Sequence, residues 1–291
     1  IISGLGSIYE LKHLLQQQPY KKLLLVTDAG MIQQQLHLPI IEILETIQLD
    51  YVIYSSVQAD PPEHIVLDAV QFAKNEKADI VLGFGGGSSL DVAKIIAILA
   101  HPQQQQTLSD LYGINNAKQP RLPLFLVPTT AGTGSEVTPI SIVTTGETTK
   151  TGIVSPVLFA DVAILDATFT QNLPAHITAA TGIDAMVHAI EAYTSKIKKN
   201  PYADMLAKQA LKLLNQNLSL VLADGQNLAA RQNMLVGSML AGQAFANAPV
   251  GAVHALAYPL GGHFHISHGH SNALVLIEVL KFNAPHAKQY Y

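Results

Sequence analysis

The chain has 291 residues, 48% hydrophobic and only 13% charged, a balance that fits a folded globular protein and excludes a disordered one. A formal net charge of −4 offers no basic surface for nucleic acid, and the lack of any cysteine excludes a disulfide framework and a thiolate metal site. No apolar run reaches the roughly 18 residues a membrane span needs, so a membrane is not an expected partner either.

The opening stretch IISGLGSIYELKHLL has no initiator methionine, basic n-region or small-residue cleavage site. It reads as a trimmed start rather than a signal peptide, and the absence of cysteine suits a cytoplasmic location. KLLLVTD (22–28), DIVLGFGGG (79–87), LPLFLVPTT (122–130) and DVAILD (161–166) are strand-like, each ending in turn chemistry. Helical patterns at 62–76 and 88–100 lie between them. This alternation predicts an α/β domain with a mostly parallel sheet. From about residue 168 the strand signals stop. ITAATGIDAMVHAIEAYTS, YADMLAKQALKLLNQNLSLVLA and LAARQNMLVGSMLAGQAFANA are long 3.6-period segments, which predict an all-α domain. The expected division is 1–167 and 168–291, with no internal repeat. Glutamine runs at 16–18, 33–35 and 103–106 read as solvated helix ends and loops.

GFGGGSSLDVAK (83–94) closes a predicted strand and opens a predicted helix. Gly85, Gly86 and Gly87 let backbone approach a ligand, and Ser88 with Asp91 has the spacing of a capping box. Exposed N–H groups at a helix start beside glycines suit a phosphate. The stretch is not a P-loop, since no GK[ST] follows. Nor is it the Rossmann fingerprint, whose acidic residue comes about 20 positions after the glycines. The plausible ribose acid, Asp28, ends a strand far upstream, so a dinucleotide would bind in a different order along the sequence. A second loop, PTTAGTGSEVT (128–138), gathers Thr129, Thr130, Thr133, Ser135 and Thr138 around two glycines at a strand end, which favours a ligand over local turn-making.

GIDAMVHAIEAY (182–193) puts Asp184 and His188 four apart on one face of a helix whose other neighbours are apolar. A buried carboxylate is costly unless something pairs with it, and a divalent metal would resolve that cost. Further on, GAVHALAYPLGGHFHISHGH (251–270) carries five of the protein's twelve histidines. His254 lies in an apolar helical stretch expected to end at Gly261–Gly262, and His268 opens the next helix. These two have rigid supports and complete a set of one carboxylate and three imidazoles, which suits iron(II) or zinc. His263 and His265 fall in the expected turn and His270 lies beyond, where pocket lining or a solvated surface is the reading.

Together, GGGSSLDVAK, PTTAGTGSEVT, TGIDAMVHAIEAY and the spacing from His254 to His268 resemble the iron-containing (group III) alcohol dehydrogenase family, over nearly the whole sequence. The resemblance implies the dehydroquinate synthase-like fold, with an N-terminal dinucleotide-binding α/β domain, a helical C-terminal domain and an active site in the cleft. It implies metal ligands Asp184, His188, His254 and His268, the set the residues themselves suggest. It implies pyrophosphate binding by Gly86, Gly87 and Ser88 with Asp91 nearby, and a nicotinamide lining of Thr129, Thr130, Thr133 and Thr138. Lys150 matches a cofactor-contacting lysine and Asp28 an acid associated with the adenosine ribose.

Two departures stand out. Tyr258 replaces a histidine that many members place four after His254, which leaves His265 or the cofactor's ribose hydroxyls as the outlet for the substrate proton. Members also extend well past the HG pair, so the helical domain is expected to be incomplete and C-terminally truncated. The expectation is a metal-dependent, NAD-linked dehydrogenase acting on a small primary alcohol or diol and its aldehyde, with His254 and His268 at the catalytic metal and a homodimer as the default assembly. The alternatives are a glycerol dehydrogenase-like or dehydroquinate synthase-like sister branch, and a non-catalytic nucleotide-binding module.

Overall fold

The runs at 23–26, 80–84 and 124–127 have no polar alternation, and all their residues are buried, as strands of a parallel sheet covered on both faces must be. A computed structural model describes residues 1–146, 149–264 and 266–290. Its strands are β1 (Ile2–Ser3), β2 (Lys22–Asp28), β3 (Asp50–Val57), β4 (Ile80–Gly85), β5 (Gly113–Ile114), β6 (Leu124–Pro128), β7 (Ile140–Thr145), β8 (Thr149–Val154) and β9 (Val162–Leu165). The helices among them are α1 (Glu10–Gln16), α2 (Ala29–Gln33), α3 (Leu38–Thr46), α4 (Glu63–Glu76), α5 (Gly87–Leu99) and α6 (Leu108–Leu111).

Six strands form one sheet in the order β1-β9-β6-β4-β2-β3, with every pair parallel. β5-β8-β7 make a smaller sheet in which β7 and β8 are antiparallel. The mostly parallel sheet expected from sequence is therefore present. β3 and the β7–β8 hairpin were not expected. DYVIYSSV and the threonine-rich hairpin strands are only partly buried, so their apolar signal is weak. Along β2 the side chains alternate: Leu23 and Leu25 join the core with α1 and α3, while Leu24 and Val26 join that with α4 and α5. Each such residue contributes about 1.5–3 kcal/mol by leaving water.

This topology locates a ligand. β3 lies on one side of β2 and β4 on the other, so the sheet's direction of growth reverses there. Open α/β sheets bind ligands at the carboxyl ends of the strands flanking such a reversal. Asp28 ends β2 and Gly85 ends β4.

The protein divides into two units, Ile1–Thr129 with Ser135–Phe169, and Thr130–Gly134 with Thr170–Tyr291. The second contains α7 (Ala175–Thr194), α8 (Pro201–Ala223), α9 (Leu228–Asn247), α10 (Ala252–Phe264) and α11 (His268–Ala287), and no strand among the described residues. Pro201 pre-sets the first turn of α8, and the Asn200 side chain accepts from Ala203 N–H at 2.8 Å. Close helix contacts rest on glycine: a Cβ at Gly182 would stand 2.7 Å from Leu218 of α8, and one at Gly237 2.9 Å from Leu214. The short 130–134 segment lies against these helices, with Gly132 tight on Thr181 and Gly134 on Gly242.

α10 corrects one expectation. It runs through Gly261 and Gly262 to Phe264, so His263 is helical and exposed rather than in a turn. A helix-interior glycine costs only about 1 kcal/mol, which a packed helix absorbs.

Candidate functional site

α7 presents Asp184, His188 and Glu191 at i, i+4 and i+7, one stripe of a single helix, and all three are buried. His254 comes from α10 and His268 opens α11. Gly269 permits that start, because a Cβ there would stand 2.1 Å from the Ala180 carbonyl oxygen of α7. Only glycine allows the two backbones to approach so closely beside His268.

Nε2 of His254 lies 3.7 Å, and Nε2 of His268 3.5 Å, from Asp184 Oδ1. Ligand atoms of these three residues all fall within 4.8 Å of one another. Donors set tetrahedrally about an ion at about 2.1 Å are about 3.5 Å apart, so the spacing fits a metal. His188 stands beside this trio. Its ring is stacked between Phe245, at 4.4 Å between centroids, and His254, at 4.5 Å. Its Nδ1 is buried without a hydrogen-bond partner, an orphan that calls for an explanation.

The electrostatics favour ligating forms at Asp184 and His188. Burial by itself would raise the Asp184 carboxyl, but His188, His268 and His254 outweigh it and hold Asp184 well below the usual carboxylate range. Burial, reinforced by His254 and His268, pushes His188 down to about 3 against the pull of Asp184 and Glu191. Burial also opposes charge on His254, yet hydrogen bonds and charges of Asp184 and Glu191 raise it to about 9. A metal ion bound at His254 would have to displace that proton.

Two residues passed over in the sequence complete the cluster. Glu191 Oε2 pairs with His254 Nδ1 at 2.6 Å, and Glu191 Oε1 accepts from Val253 N–H at 2.6 Å. Burial would raise the Glu191 carboxyl, but His254 and the backbone N–H groups of Gly251 and Val253 bring it below its ordinary value. Asn272 Nδ2 donates to Asp184 Oδ1 at 2.6 Å and lies 3.4 Å from Nε2 of both His254 and His268. Spacing is the sequence signal they carry: Glu191 continues the Asp184–His188 stripe, and Asn272 follows His268 by one turn.

In the α/β unit Asp28 and the glycine turn meet at the sheet reversal. Gly85 has φ +149°, and a Cβ there would stand 2.7 Å from Ser89 Oγ and 3.4 Å from Asp28 Oδ2. Gly86, Gly87 and Ser88 are half-exposed between buried neighbours. α5 has no side-chain cap, so the N–H groups of its first turn are open to a phosphate. The expected capping box does not form. Gly86 is the N-cap, which places Ser88 inside the first turn, where its hydroxyl accepts from Asp60 N–H at 3.2 Å. The capping box that does form is Thr107 with Asp110.

Asp28 Oδ1 caps α2 by accepting from Gly30 N–H at 2.8 Å and Met31 N–H at 3.1 Å. Thr129 donates its backbone N–H to Gly85 O at 2.9 Å, and its buried hydroxyl has no partner, as a ligand-facing hydroxyl would. Lys150 pairs with Asp60 at 2.7 Å and donates to Thr144 Oγ1 at 3.0 Å. Asp91 and Thr138 are held inside the unit. Asp91 accepts from Ser135 Oγ at 2.6 Å and Ile142 N–H at 2.9 Å, and it faces the fully buried Lys94 at 3.6 Å. Lys94 donates to Ser135 Oγ at 2.7 Å, Thr138 Oγ1 at 3.4 Å and Ile140 O at 2.6 Å. Thr130 and Thr133 belong to the helical unit.

The family model for iron-containing alcohol dehydrogenases matches residues 1–167, and the model for the C-terminal part of that family matches residues 178–291. The protein belongs to the iron-containing alcohol dehydrogenase family. The dehydrogenase is 42% identical over 280 residues to a long-chain-alcohol dehydrogenase of Geobacillus thermodenitrificans, a match covering 96% of this sequence and 70% of the relative. The solved structure of a 1,3-propanediol oxidoreductase superposes with a TM-score of 0.93 at 38% identity, covering 97% of this protein and 74% of that one. A sulfoacetaldehyde reductase of Bifidobacterium kashiwanohense, solved with NAD+, gives 0.89 at 30% identity over 97% of this protein and 74% of that one. The dehydrogenase is thus an alcohol oxidoreductase of this class, on the fold the sequence suggested.

Of the other histidines in 251–270, His263 and His270 are exposed, and His265 lies outside the described residues. Tyr258 is 37% exposed, so it is no core residue, and its ring lies near parallel to His268 at 5.8 Å between centroids. No helix among the described residues is long and apolar enough to cross a membrane.

Proposed function

We propose that the dehydrogenase oxidises a small primary alcohol or diol reversibly to the aldehyde, with NAD as partner and one divalent metal, iron(II) before zinc, in the helical unit. The observation that carries this reading is the buried cluster of Asp184, His254 and His268 with His188 beside it. When bound, the metal supplies Lewis-acid polarisation of an alcohol oxygen and NAD supplies the hydride acceptor.

The protein's own residues have distinct tasks. Asp184, His188, His254 and His268 hold the ion, with an ionised carboxylate and imidazole lone pairs as donors. Gly86, Gly87 and Ser88 receive the pyrophosphate at the start of α5, and Gly85 lets backbone come near it. Asp28 Oδ2 is the ribose-facing acceptor, while Oδ1 stays on α2. Lys94 and Asp91 tie α5, which follows the glycine turn, to the Ser135–Thr138 segment and β7 from inside, without touching a ligand. Tyr258 lines the pocket beside His268.

Metal analysis combined with a screen of small alcohols for NAD reduction tests the reading. Bound metal together with alcohol-dependent NADH formation supports it. Metal and NAD bound without turnover on any alcohol would favour a nucleotide-binding module instead.

A further inference from the structure

Glu191 belongs to the metal cluster, yet both its oxygens are turned to α10. Val253 N–H ends on Oε1 at 2.6 Å, and His254 Nδ1 is 2.6 Å from Oε2. A neutral imidazole has one protonated and one lone-pair nitrogen. A proton held on Nδ1 leaves the lone pair on Nε2, the atom that faces Asp184 Oδ1 at 3.7 Å.

We propose that Glu191 is a positioning residue for the metal centre, fixing the tautomer and ring orientation in which His254 Nε2 is the donor. This deepens the metal-dependent reading above and rests on it.

The chemistry of the converging groups makes the carboxylate specific. The backbone N–H groups of Gly251 and Val253 can only donate, and the imidazole must donate from Nδ1 for Nε2 to ligate. A carboxylate accepts them all. A carboxamide of the same shape has a single acceptor oxygen, so one donor then meets an NH2 group. The imidazole is the partner that can adapt, by moving its proton to Nε2 and losing the ligating lone pair. Glu191→Asp retains two acceptor oxygens on a shorter stem. Gly251 offers an independent handle, since a Cβ there would stand 3.3 Å from Glu191 Oε1. Gly251→Ala therefore presses on the carboxylate without altering Glu191 or any ligand.

The experiment is a Co(II) titration of the metal-stripped protein, followed by visible absorption, with circular dichroism and thermal unfolding recorded on the same samples. Glu191→Gln is expected to keep the fold and weaken Co(II) binding about 10–100-fold. Glu191→Asp should fall between Gln and wild type. Gly251→Ala should weaken Co(II) by a smaller factor, and it decides the matter if the Gln variant does not fold. A folded Glu191→Gln protein that binds Co(II) as tightly as wild type overturns the proposal, as does unchanged affinity in Gly251→Ala when Gln fails to fold. Wild-type protein that takes up no Co(II) overturns the metal reading itself, a result visible without any variant.

Discussion

Lys94→Met tests the interior brace of the α/β unit. The Lys94 side chain is fully buried and faces Asp91 at 3.6 Å. Burial pushes the ammonium below its usual range and Asp91 above its own, each opposed by the other's charge. Methionine fills a similar volume but leaves Asp91 without a counter-charge and Ile140 O without its donor. Removing one partner of a buried pair costs about 3–5 kcal/mol. Asp91 keeps its bonds from Ser135 and Ile142, so the lower end, about 3 kcal/mol, is expected. Urea unfolding followed by far-ultraviolet dichroism reads this as a midpoint lower by about 1–2 M with unchanged slope. Asp91→Leu added to Lys94→Met should recover part of the loss, because it removes the stranded charge. A loss below about 1 kcal/mol in Lys94→Met would refute the reasoning, since it would mean that water or another cation already serves Asp91.

Glu136, also buried, has its carboxyl raised by burial from 4.5 to about 7 against the opposing pull of its own backbone N–H and of Lys94. The folded state holds the proton where the unfolded polypeptide has lost it, so this stabilisation is complete below pH 4.5 and lost as pH rises through about 7. Urea midpoints should therefore fall across that window in wild type and less in Glu136→Gln; equal slopes would contradict the assignment. Asp28→Gly should narrow a preference for NAD over NADP, because the carboxylate repels a 2′-phosphate. It should cost α2 only a few tenths of a kcal/mol, since glycine serves as an N-cap; wild-type protein that already prefers NADP would sink the idea. Tyr258→Phe keeps the ring beside His268 and should leave turnover and its pH profile unchanged, whereas Tyr258→His should add a limb near pH 6–7. A collapse of turnover in the Phe variant would make the hydroxyl a participant.

The parts legible in the sequence were those with strong local periodicity. β2, β4, β6 and β9 are apolar runs with turn chemistry at their ends, and α7 to α9 are long 3.6-period segments. β3 and the β7–β8 hairpin escaped because partial burial tolerates serine and threonine, which dilutes the pattern. At the site, Asp184 and His188 were marked by their spacing, but roles set by tertiary neighbours were not. Asp91 has capping-box spacing from Ser88, yet its carboxylate turns inward because Lys94, one helical turn on, is buried there. Glu191 and Asn272 carry side chains that are usually solvated, and only the meeting of α7, α10 and α11 shows what they touch.

Metal content and NADH formation, measured on one preparation of wild type and of the Asp184, His188, His254 and His268 alanine variants, test the central claim most directly. The expected result is one divalent ion per wild-type polypeptide, alcohol-dependent NADH formation, and loss of both in each variant. Metal stoichiometry that survives in all four variants, or turnover undiminished without metal, would contradict it.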